Sequence, residues 1–307
     1  MVMDVTRCNG CYNCFLACRD EFSGNDFPPY SVSQPKTGHF WMRLVEKERG
    51  QYPKVKVAYT AIPCMQCEEP PCAAAAQDAA VFRREDGIVI IDPVKAADQR
   101  QIVDGCPHRV IFWNEEKRVA QKCTFCAHLL DAGWKEPRCV EACPTAALVF
   151  GDLDDRESEV ARLVASGRTE ELRPEYGLGS AVRYIGLPKR FVAGAVVFAD
   201  TDRCGEGAEV TLEAAAGGVA VKRTATADNY GDFEFEGLAA DEVYRLTVRA
   251  GGYETRELTA RTAMDLHLGD IVLQPAAAAE APAAAAEAPA VAALAPPGAR
   301  ADAEGGR

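Results

Sequence analysis

Twelve of the 13 cysteines lie between Cys8 and Cys143, mostly in C-x2-C spacing. The first run, CNGCYNCFLAC, places Cys8, Cys11, Cys14 and Cys18 in C-x2-C-x2-C-x3-C spacing. Three thiolates on so short a loop can bind three irons of a [4Fe-4S] cluster, whereas the fourth lies a helical turn further on and points toward a second cluster. This run therefore predicts iron–sulfur chemistry in which the last cysteine serves a different cluster from the first three.

A later run, CTFCAHLLDAGWKEPRCVEACP, has similar spacing with a longer insertion in the middle. It carries Cys123, Cys126, Cys139 and Cys143 as C-x2-C-x12-C-x3-C-P. If the two runs exchange their last cysteines, each cluster gains its fourth ligand. Set 1 is then Cys8, Cys11, Cys14 and Cys143, and set 3 is Cys18, Cys123, Cys126 and Cys139.

The middle of the chain holds an incomplete run and a single cysteine. CMQCEEPPC supplies Cys64, Cys67 and Cys72, but Ala76 stands where a fourth ligand belongs at the x3 spacing. Counting back from Cys106 by the spacing of the first run leads to three residues other than cysteine: Ala96, Gln99 and Ile102. Crossed ligation explains both defects, because Cys106 then completes set 2 with Cys64, Cys67 and Cys72. The four substituted positions belong to one absent cluster, and twelve cysteines fill three clusters.

Other chemistry is less favoured by the residues. A structural zinc ion is the alternative for the last run, but three equally spaced thiolates in CNGCYNC suit one face of a cluster better than a tetrahedral ion. Cys204 is predicted to be a free cysteine of the C-terminal region. No phosphate-binding glycine loop or nucleophile motif is found, so no catalytic residue is predicted. Four histidines lack a partner at catalytic spacing and are predicted to be structural: His39, His108, His128 and His267. Of these, His108 and His128 lie close enough in sequence to the cysteines to hydrogen-bond cluster sulfurs.

Composition narrows the class of protein and of partner. The chain has 307 residues, long enough for two domains, and its formal net charge of -12 disfavours nucleic acid or an anionic membrane as a partner. An odd number of cysteines in C-x2-C spacing, with no signal peptide visible, favours metal ligation over disulfides. No apolar run reaches the roughly 18 to 20 residues of a membrane span. We therefore expect a cytoplasmic location, with export alongside a partner that carries a twin-arginine signal as the alternative.

Apolar patterning predicts the elements that position these residues. AVFRREDGIVIID has two short apolar runs around Glu85-Asp86-Gly87, which predict a hairpin that folds the chain back toward Cys106. An amphipathic helix is predicted from about Glu157 to Ala165. From Val182, six apolar runs of period 2 separated by turn residues predict a small antiparallel β-sandwich or barrel. The alanine- and proline-rich segment from Pro275 is predicted to be disordered.

The predicted fold class is therefore α+β, in three parts. Residues 1–181 form a double ferredoxin-like [4Fe-4S] domain and a connector, residues 182–274 form the β domain, and residues 275–307 form a disordered tail.

Six segments together resemble the iron–sulfur subunits of the dimethyl sulfoxide reductase family of molybdopterin enzymes: DVTRCNGCYNCFLAC, PCMQCEEPPC, REDGIVIIDP, CPHRVIFWNEE, VAQKCTFCAHLLDAG and PRCVEACPTAALVFGDLDD. The chain departs from ordinary four-cluster members by lacking the third cluster. TADNYGDFEFEGL and YRLTVRAGGYET resemble carboxypeptidase-regulatory or transthyretin-like modules. With GHFWMRLVEKERGQYP, this combination is similar to small subunits of the pyrogallol-phloroglucinol transhydroxylase and catechol dehydroxylase type, from about Met1 to Gln274.

The resemblance implies an electron-transfer subunit with three [4Fe-4S] clusters and no active site of its own. Its partner would be a large subunit that carries molybdenum or tungsten on two pterin guanine dinucleotides, where a hydroxylated aromatic substrate reacts. The clusters would deliver two electrons per turnover to a dehydroxylase, or serve activation or structure in a transhydroxylase. The alternatives are a free-standing polyferredoxin whose β domain docks a protein, and a subunit of a respiratory dimethyl sulfoxide, polysulfide or tetrathionate reductase. Those reductases are less favoured because they usually keep the third cluster and lack the β domain.

Overall fold

The computed structural model describes residues 1–214 and 221–276. Short helices and hairpins occupy the chain up to Ile185, and two β-sheets follow from Arg190. Nearly all of the tail that was predicted to be disordered, residues 277–307, lies outside the described residues.

The helices are short, and four of the cysteines lie on them: Cys14, Cys18, Cys72 and Cys139. Their bounds are α1 (Asn13–Phe22), α2 (Pro71–Ala74), α3 (Gln101–Asp104), α4 (Ala127–Asp131), α5 (Arg138–Glu141) and α6 (Glu159–Ala165). Helix α1 packs against α5, and α2 packs against α3. Helix α6 begins at Glu159 because the Ser158 side chain caps it, accepting a hydrogen bond from the Ala161 N–H at 3.2 Å. Among the described helices, none is long and apolar enough to cross a membrane.

Hairpins and short strands complete the N-terminal part. Its strands are β1 (Val2–Asp4), β2 (Arg43–Gln51), β3 (Lys54–Ile62), β4 (Val81–Arg83), β5 (Val89–Ile91), β6 (Phe112–Asn114), β7 (Val119–Gln121), β8 (Leu148–Val149) and β9 (Arg183–Ile185). Strands β4 and β5 pair antiparallel, which confirms the predicted hairpin between Cys72 and Cys106. Strand β1 pairs antiparallel with β8 and parallel with β9, so the end of the connector returns to the start of the chain.

The C-terminal strands form a sandwich of two sheets. They are β10 (Arg190–Phe198), β11 (Arg203–Cys204), β12 (Glu209–Ala214), β13 (Lys222–Thr226), β14 (Asp232–Leu238), β15 (Val243–Arg249), β16 (Arg256–Arg261) and β17 (Leu266–Leu273). One sheet has the order β11-β10-β14 with β17 also on β10, and the other has the order β13-β12-β15-β16. Val196 and Phe235 of the first sheet share a core with Leu212 and Leu246 of the second.

Two features of this sandwich correct the sequence prediction. The described strands stay in two separate sheets, so the structure is a sandwich and not a closed barrel. The first sheet is not wholly antiparallel, because β17 pairs parallel with β10. Strand β16 was not predicted, since its sequence RELTAR is largely charged and polar.

A long hairpin of β2 and β3 connects the iron–sulfur part to the sandwich. Lys54 Nζ lies 3.1 Å from Glu234 Oε2, and Lys56 pairs with the same carboxylate. Arg49 Nη1 lies 3.6 Å from the Oδ1 of the buried Asp265. The hairpin was not predicted, because its alternating charged residues are equally typical of a solvated segment.

Candidate functional site

The four cysteines of set 2 line a single pocket. Cys64 and Cys67 lie on the loop after β3, Cys72 lies on α2 and Cys106 follows α3. The rest of the lining is apolar apart from His108. The structure thus brings the isolated Cys106 to the three cysteines that precede the β4–β5 hairpin.

The chemistry of these thiols fits a cluster. Burial raises the pKa of the Cys67 thiol to about 12 and that of the Cys72 thiol to about 11. Charge at the neighbouring Cys64 and Cys106 adds to both increases. Free thiolates are therefore disfavoured in this pocket, whereas iron binding deprotonates a thiol and shares its charge. The donor set and its apolar surroundings suit a [4Fe-4S] cluster.

The cysteines of set 3 are all buried. Cys18 comes from α1 and Cys139 from α5, while Cys123 and Cys126 flank the turn between β7 and α4. Burial raises the pKa of both Cys18 and Cys139 well above its usual range, and charge at Cys123 and Cys126 raises both further. Phe125 has a φ of 52°, and its N–H donates to the Cys123 Sγ at 3.4 Å, so the turn directs a backbone donor at a ligand sulfur.

Set 1 is the most accessible group. Cys11 is exposed, Cys8 and Cys143 are half-buried, and Cys14 is buried at the start of α1. Burial raises the pKa of the Cys14 thiol to about 11, and charge at the other three thiols adds to the increase. Tyr12, between the second and third cysteine, has a φ of 62°, which allows the short loop to turn back on itself.

Cys143 differs from the other ligands of set 1. Burial acts to raise the pKa of its thiol, but hydrogen bonds from the Thr145 side chain and from the N–H groups of Leu148, Ala147 and Thr145 outweigh burial and lower it. The turn that supplies these donors contains Ala146 at a φ of 48°. Donors of this kind stabilise negative charge on a ligand sulfur and therefore favour the reduced form of a bound cluster.

The three sets lie in the spatial order 1, 3, 2. Cys14 of set 1 is close enough to Cys18 and Cys139 of set 3 for its charge to raise the pKa of both, after the larger effect of burial. At the other side of set 3, charge at Cys64 of set 2 raises the pKa of the Cys123 thiol, after the larger effect of burial. Set 3 therefore lies between the other two.

Four residues stand where the ligands of the absent cluster would be expected, and we call their location the absent position: Ala76, Ala96, Gln99 and Ile102. They form ordinary core packing. Ala96 and Ile102 are completely buried in an apolar cluster that also includes Cys72, with Ala76 packed against it. The Gln99 side chain accepts a hydrogen bond from the Gln77 N–H at 2.7 Å and donates one to the Lys95 carbonyl at 2.8 Å. Side chains thus fill this position, and the loss of a cluster here stays a prediction.

The remaining candidates have structural partners. Cys204 is exposed on β11 of the sandwich. The Nε2 of His128 lies 2.9 Å from Glu21 Oε1, and the Nε2 of His39 lies 3.1 Å from the Trp113 carbonyl oxygen. His108 contacts the Tyr176 ring edge to face at 5.1 Å, and the Gly269 N–H donates to His267 Nδ1 at 3.2 Å. None of these contacts points to catalysis.

Two polar residues beside the cysteines were missed from the sequence. Gln66, between Cys64 and Cys67, accepts from the Val89 N–H at 2.8 Å and donates to the Cys123 carbonyl at 3.1 Å. Lys122 directly precedes Cys123 and is only 2% exposed. A lysine directly after the short strand VAQ and directly before a predicted ligand was the available signal for a buried charge.

The arrangement also bears on the zinc alternative. Within residues 1–214 and 221–276, no group of three or more His, Cys, Asp or Glu side chains is arranged to hold a single metal ion. Ligands of a [4Fe-4S] cluster surround four irons and need not converge on one point. The fit to a cluster therefore rests on the set 2 pocket and on the proximity of thiols within each set.

Comparison with known proteins agrees with both halves of the structure. Residues 55–153 match the 4Fe-4S dicluster domain, and residues 192–274 match the carboxypeptidase regulatory-like domain. The pyrogallol hydroxytransferase small subunit of Pelobacter acidigallici is 40% identical over 280 residues, covering 89% of this chain and 98% of that protein. One tetrathionate reductase subunit of Salmonella typhimurium is 34% identical over 196 residues, covering 62% of this chain and 74% of that protein.

A solved structure, the shaft pilin SpaA of Lactobacillus rhamnosus GG, covers 31% of this chain and 49% of its own at 14% identity and a TM-score of 0.26, a likeness too weak to bear on function. The identity to the small subunit, in contrast, extends over nearly the whole of both chains. The chain therefore belongs to the iron–sulfur subunits of the dimethyl sulfoxide reductase family, in the group that includes the pyrogallol hydroxytransferase small subunit.

Proposed function

We propose that this chain is the electron-transfer subunit of a molybdopterin oxidoreductase and binds three [4Fe-4S] clusters in a double ferredoxin-like arrangement. The observation that carries the proposal is the crossed convergence of the cysteines. Cys106 joins Cys64, Cys67 and Cys72 in one pocket. Cys18 of the first run lies close enough to Cys123 of the later run for their charges to interact, and the same holds for Cys143 of the later run and Cys14 of the first. Helices α1 and α5 would support the clusters of sets 1 and 3, and helices α2 and α3 would support that of set 2 and the absent position.

The order of the sets gives the chain a path for electrons. The clusters, when bound, would supply one-electron transfer. Because set 3 takes cysteines from both runs, the fold would hold its cluster between the other two. Backbone donors at Cys123 and Cys143 and the burial of set 3 would adjust how readily each cluster is reduced. No residue of this chain is needed as a catalytic group.

The surface beside set 1 is where the large molybdopterin subunit would dock. Tyr12 is 40% exposed, Leu16 is 58% exposed and Phe40 is 43% exposed, and the Phe40 ring stacks on Phe15 at 5.9 Å. Exposed apolar side chains grouped in this way mark a protein interface. The exposed Cys11 lies in the same region, so docking here would bring the first cluster next to the metal centre of the partner.

The partner would carry molybdenum or tungsten on two pterin guanine dinucleotides and act on hydroxylated aromatic compounds. The small subunit of pyrogallol hydroxytransferase is the relative that supports this substrate class. Transhydroxylation requires no net electrons, so the clusters would then serve activation or structure, whereas a reductive dehydroxylation would draw two electrons through them.

A cytoplasmic location is proposed, and cell fractionation would show whether the chain instead follows its partner into the periplasm.

Metal analysis of anaerobically purified protein tests the cluster count. We expect about 12 iron atoms and about as much acid-labile sulfide per chain, with negligible zinc. About 16 would mean a fourth cluster and would overturn the interpretation of Ala76, Ala96, Gln99 and Ile102 as a lost site. About 8 would show that one thiol set is only structural.

Co-purification tests the role as a subunit. We expect the tagged chain to bring down a large pterin-containing protein, and to lose iron or precipitate when expressed without it. Recovery of a stable, iron-loaded chain with no such partner would favour the free-standing polyferredoxin instead.

A further inference from the structure

Lys122 is a buried lysine at the end of β7, next to a predicted ligand. It is 2% exposed and is among the largest fully buried side chains of the described residues. Its ammonium group donates hydrogen bonds to the carbonyl oxygens of Val89 and Cys123, the latter at 3.2 Å. No carboxylate of residues 1–214 and 221–276 forms an ion pair with it. A buried ammonium without a counter-charge is strongly disfavoured, so the fold must supply negative charge from another source.

The groups around Lys122 identify that source. Its two acceptors belong to different ligand sets, because Val89 lines the set 2 pocket and Cys123 is a predicted ligand of set 3. Gln66, on the loop that carries two predicted ligands of set 2, donates to the Cys123 carbonyl across the same boundary. Lys122 therefore lies at the junction of two ligand sets.

The lysine is held there by a polar network. Gln66 donates a hydrogen bond to the same Cys123 carbonyl at 3.1 Å and accepts one from the Val89 N–H. The Val89 carbonyl in turn accepts a hydrogen bond from the Lys122 ammonium group. The ammonium group is thus held by two backbone carbonyls, and the side chain is only 2% exposed. A side chain needed only to fill space at this position would be better served by methionine or leucine, which have no charge to desolvate.

We propose that Lys122 is the internal counter-charge shared by the clusters of sets 2 and 3, and that it raises the reduction potentials of these two clusters relative to the cluster of set 1. The proposal rests on the proposed function. A cluster held by four thiolates carries a net negative charge that grows by one on reduction, so a fixed positive charge stabilises the reduced form more than the oxidised form. The apolar surroundings strengthen this effect, because little water screens the charge.

The test uses the purified complex and an anaerobic redox titration followed by electron paramagnetic resonance. In Lys122→Met, we expect the equilibrium constant for reducing the clusters of sets 2 and 3 to fall about tenfold or more, which corresponds to about 59 mV for a one-electron couple. The cluster of set 1 should keep its potential and serves as the internal reference. Lys122→Arg retains the charge and should change the constants by less than about threefold.

Lys117→Met is the matched control, because Lys117 lies on the same β6–β7 hairpin but its side chain is 43% exposed. It should leave all three potentials unchanged. The proposal is overturned if Lys122→Met shifts none of the potentials or shifts all three equally, or if Lys122→Arg shifts them as much as Lys122→Met.

Loss of clusters in the neutral variants is also informative. If Lys122→Met and Lys122→Gln fail to assemble the clusters of sets 2 and 3 while Lys122→Arg assembles all three, a charge requirement is supported. If Lys122→Arg fails as well, the role is one of shape and the proposal is wrong. The proposed function fails separately, before any variant is made, if the wild-type protein does not hold about 12 iron atoms in three clusters.

Discussion

Helices α2 and α3 adjoin two comparable positions that have opposite contents. At set 2, four thiols converge in one pocket. At the absent position, Ala96 and Ile102 are fully buried, and the Gln99 side chain accepts a hydrogen bond from the Gln77 N–H. The same helix pair therefore packs against a cluster site on one side and against an apolar core on the other. The comparison teaches that one helix pair can adjoin a pocket of four thiols at one position and close-packed, hydrogen-bonded side chains at the other.

The largest effect is expected from removing the ligand that makes set 2 complete. Cys106→Ser should abolish or alter one cluster signal and lower the iron content by about four atoms, because the remaining three thiols cannot hold the cluster firmly. The same signal should be affected in Cys67→Ser, although a different segment of chain is changed. Electron paramagnetic resonance of the reduced protein and iron analysis measure both results.

Cys204→Ser is the control for this comparison, since that residue is exposed on the sandwich. All three signals should persist in it. Ligand assignment would need revision if Cys106→Ser left three intact clusters. Crossed ligation likewise requires that Cys18→Ser and Cys123→Ser alter the same cluster signal, and that Cys143→Ser and Cys8→Ser alter another.

A smaller effect is expected at the absent position, where the loss is one of packing. Ile102→Ala should destabilise the protein by about 2–5 kcal/mol, because it leaves a cavity in a fully buried core. The anaerobic thermal midpoint should fall while all three cluster signals remain at low temperature. Loss of the set 2 signal at low temperature would show that the two positions are not independent.

Gly105 probes the contact between the two helices themselves. A Cβ added here would lie 2.9 Å from the Ala75 Cβ and 3.1 Å from the Cys72 Cα, so Gly105→Ala should force α2 and α3 apart. We expect a loss of about 1–3 kcal/mol and faster release of iron from set 2 under a chelator. Gly251→Ala, where a Cβ meets nothing within 4 Å, should behave as wild type.

The smallest effect is expected from the polar group of the absent position. Gln99→Ala removes the acceptor of the Gln77 N–H, but Gln77 is exposed and water can replace the bond. The expected cost is about 1 kcal/mol, measured as a shift in thermal midpoint with unchanged iron content. A shift as large as that of Ile102→Ala would mean that Gln99 organises the whole position.

Local patterns were sufficient to predict the β4–β5 hairpin, helix α6 and most of the sandwich strands. The ligand sets followed from counting cysteines, and this assignment stays a prediction until a cluster is measured. What local patterns could not supply was long-range pairing: β17 lies parallel to β10, and the charged β2–β3 hairpin is ordered by carboxylates such as Glu234 and Asp265, far away in sequence. Lys122 was missed for the same reason, because its burial depends on residues from several separate segments.

The distribution of ligands along the chain has a consequence for biosynthesis. All four thiols of set 2 lie within residues 64–106, whereas set 1 combines three cysteines near the N-terminus with Cys143, and set 3 combines Cys18 with three cysteines of the later run that ends at Cys139. As the chain leaves the ribosome, set 2 can be completed first, set 3 cannot close until Cys139 has emerged, and set 1 must wait for Cys143. With clusters bound as proposed, the two late sets would close one large ring of polypeptide, and this closure would remove conformational freedom from the unfolded chain. Insertion of the proposed clusters of sets 1 and 3 would then wait for the end of synthesis of the domain, and a chain truncated before Cys139 would carry no more than one cluster.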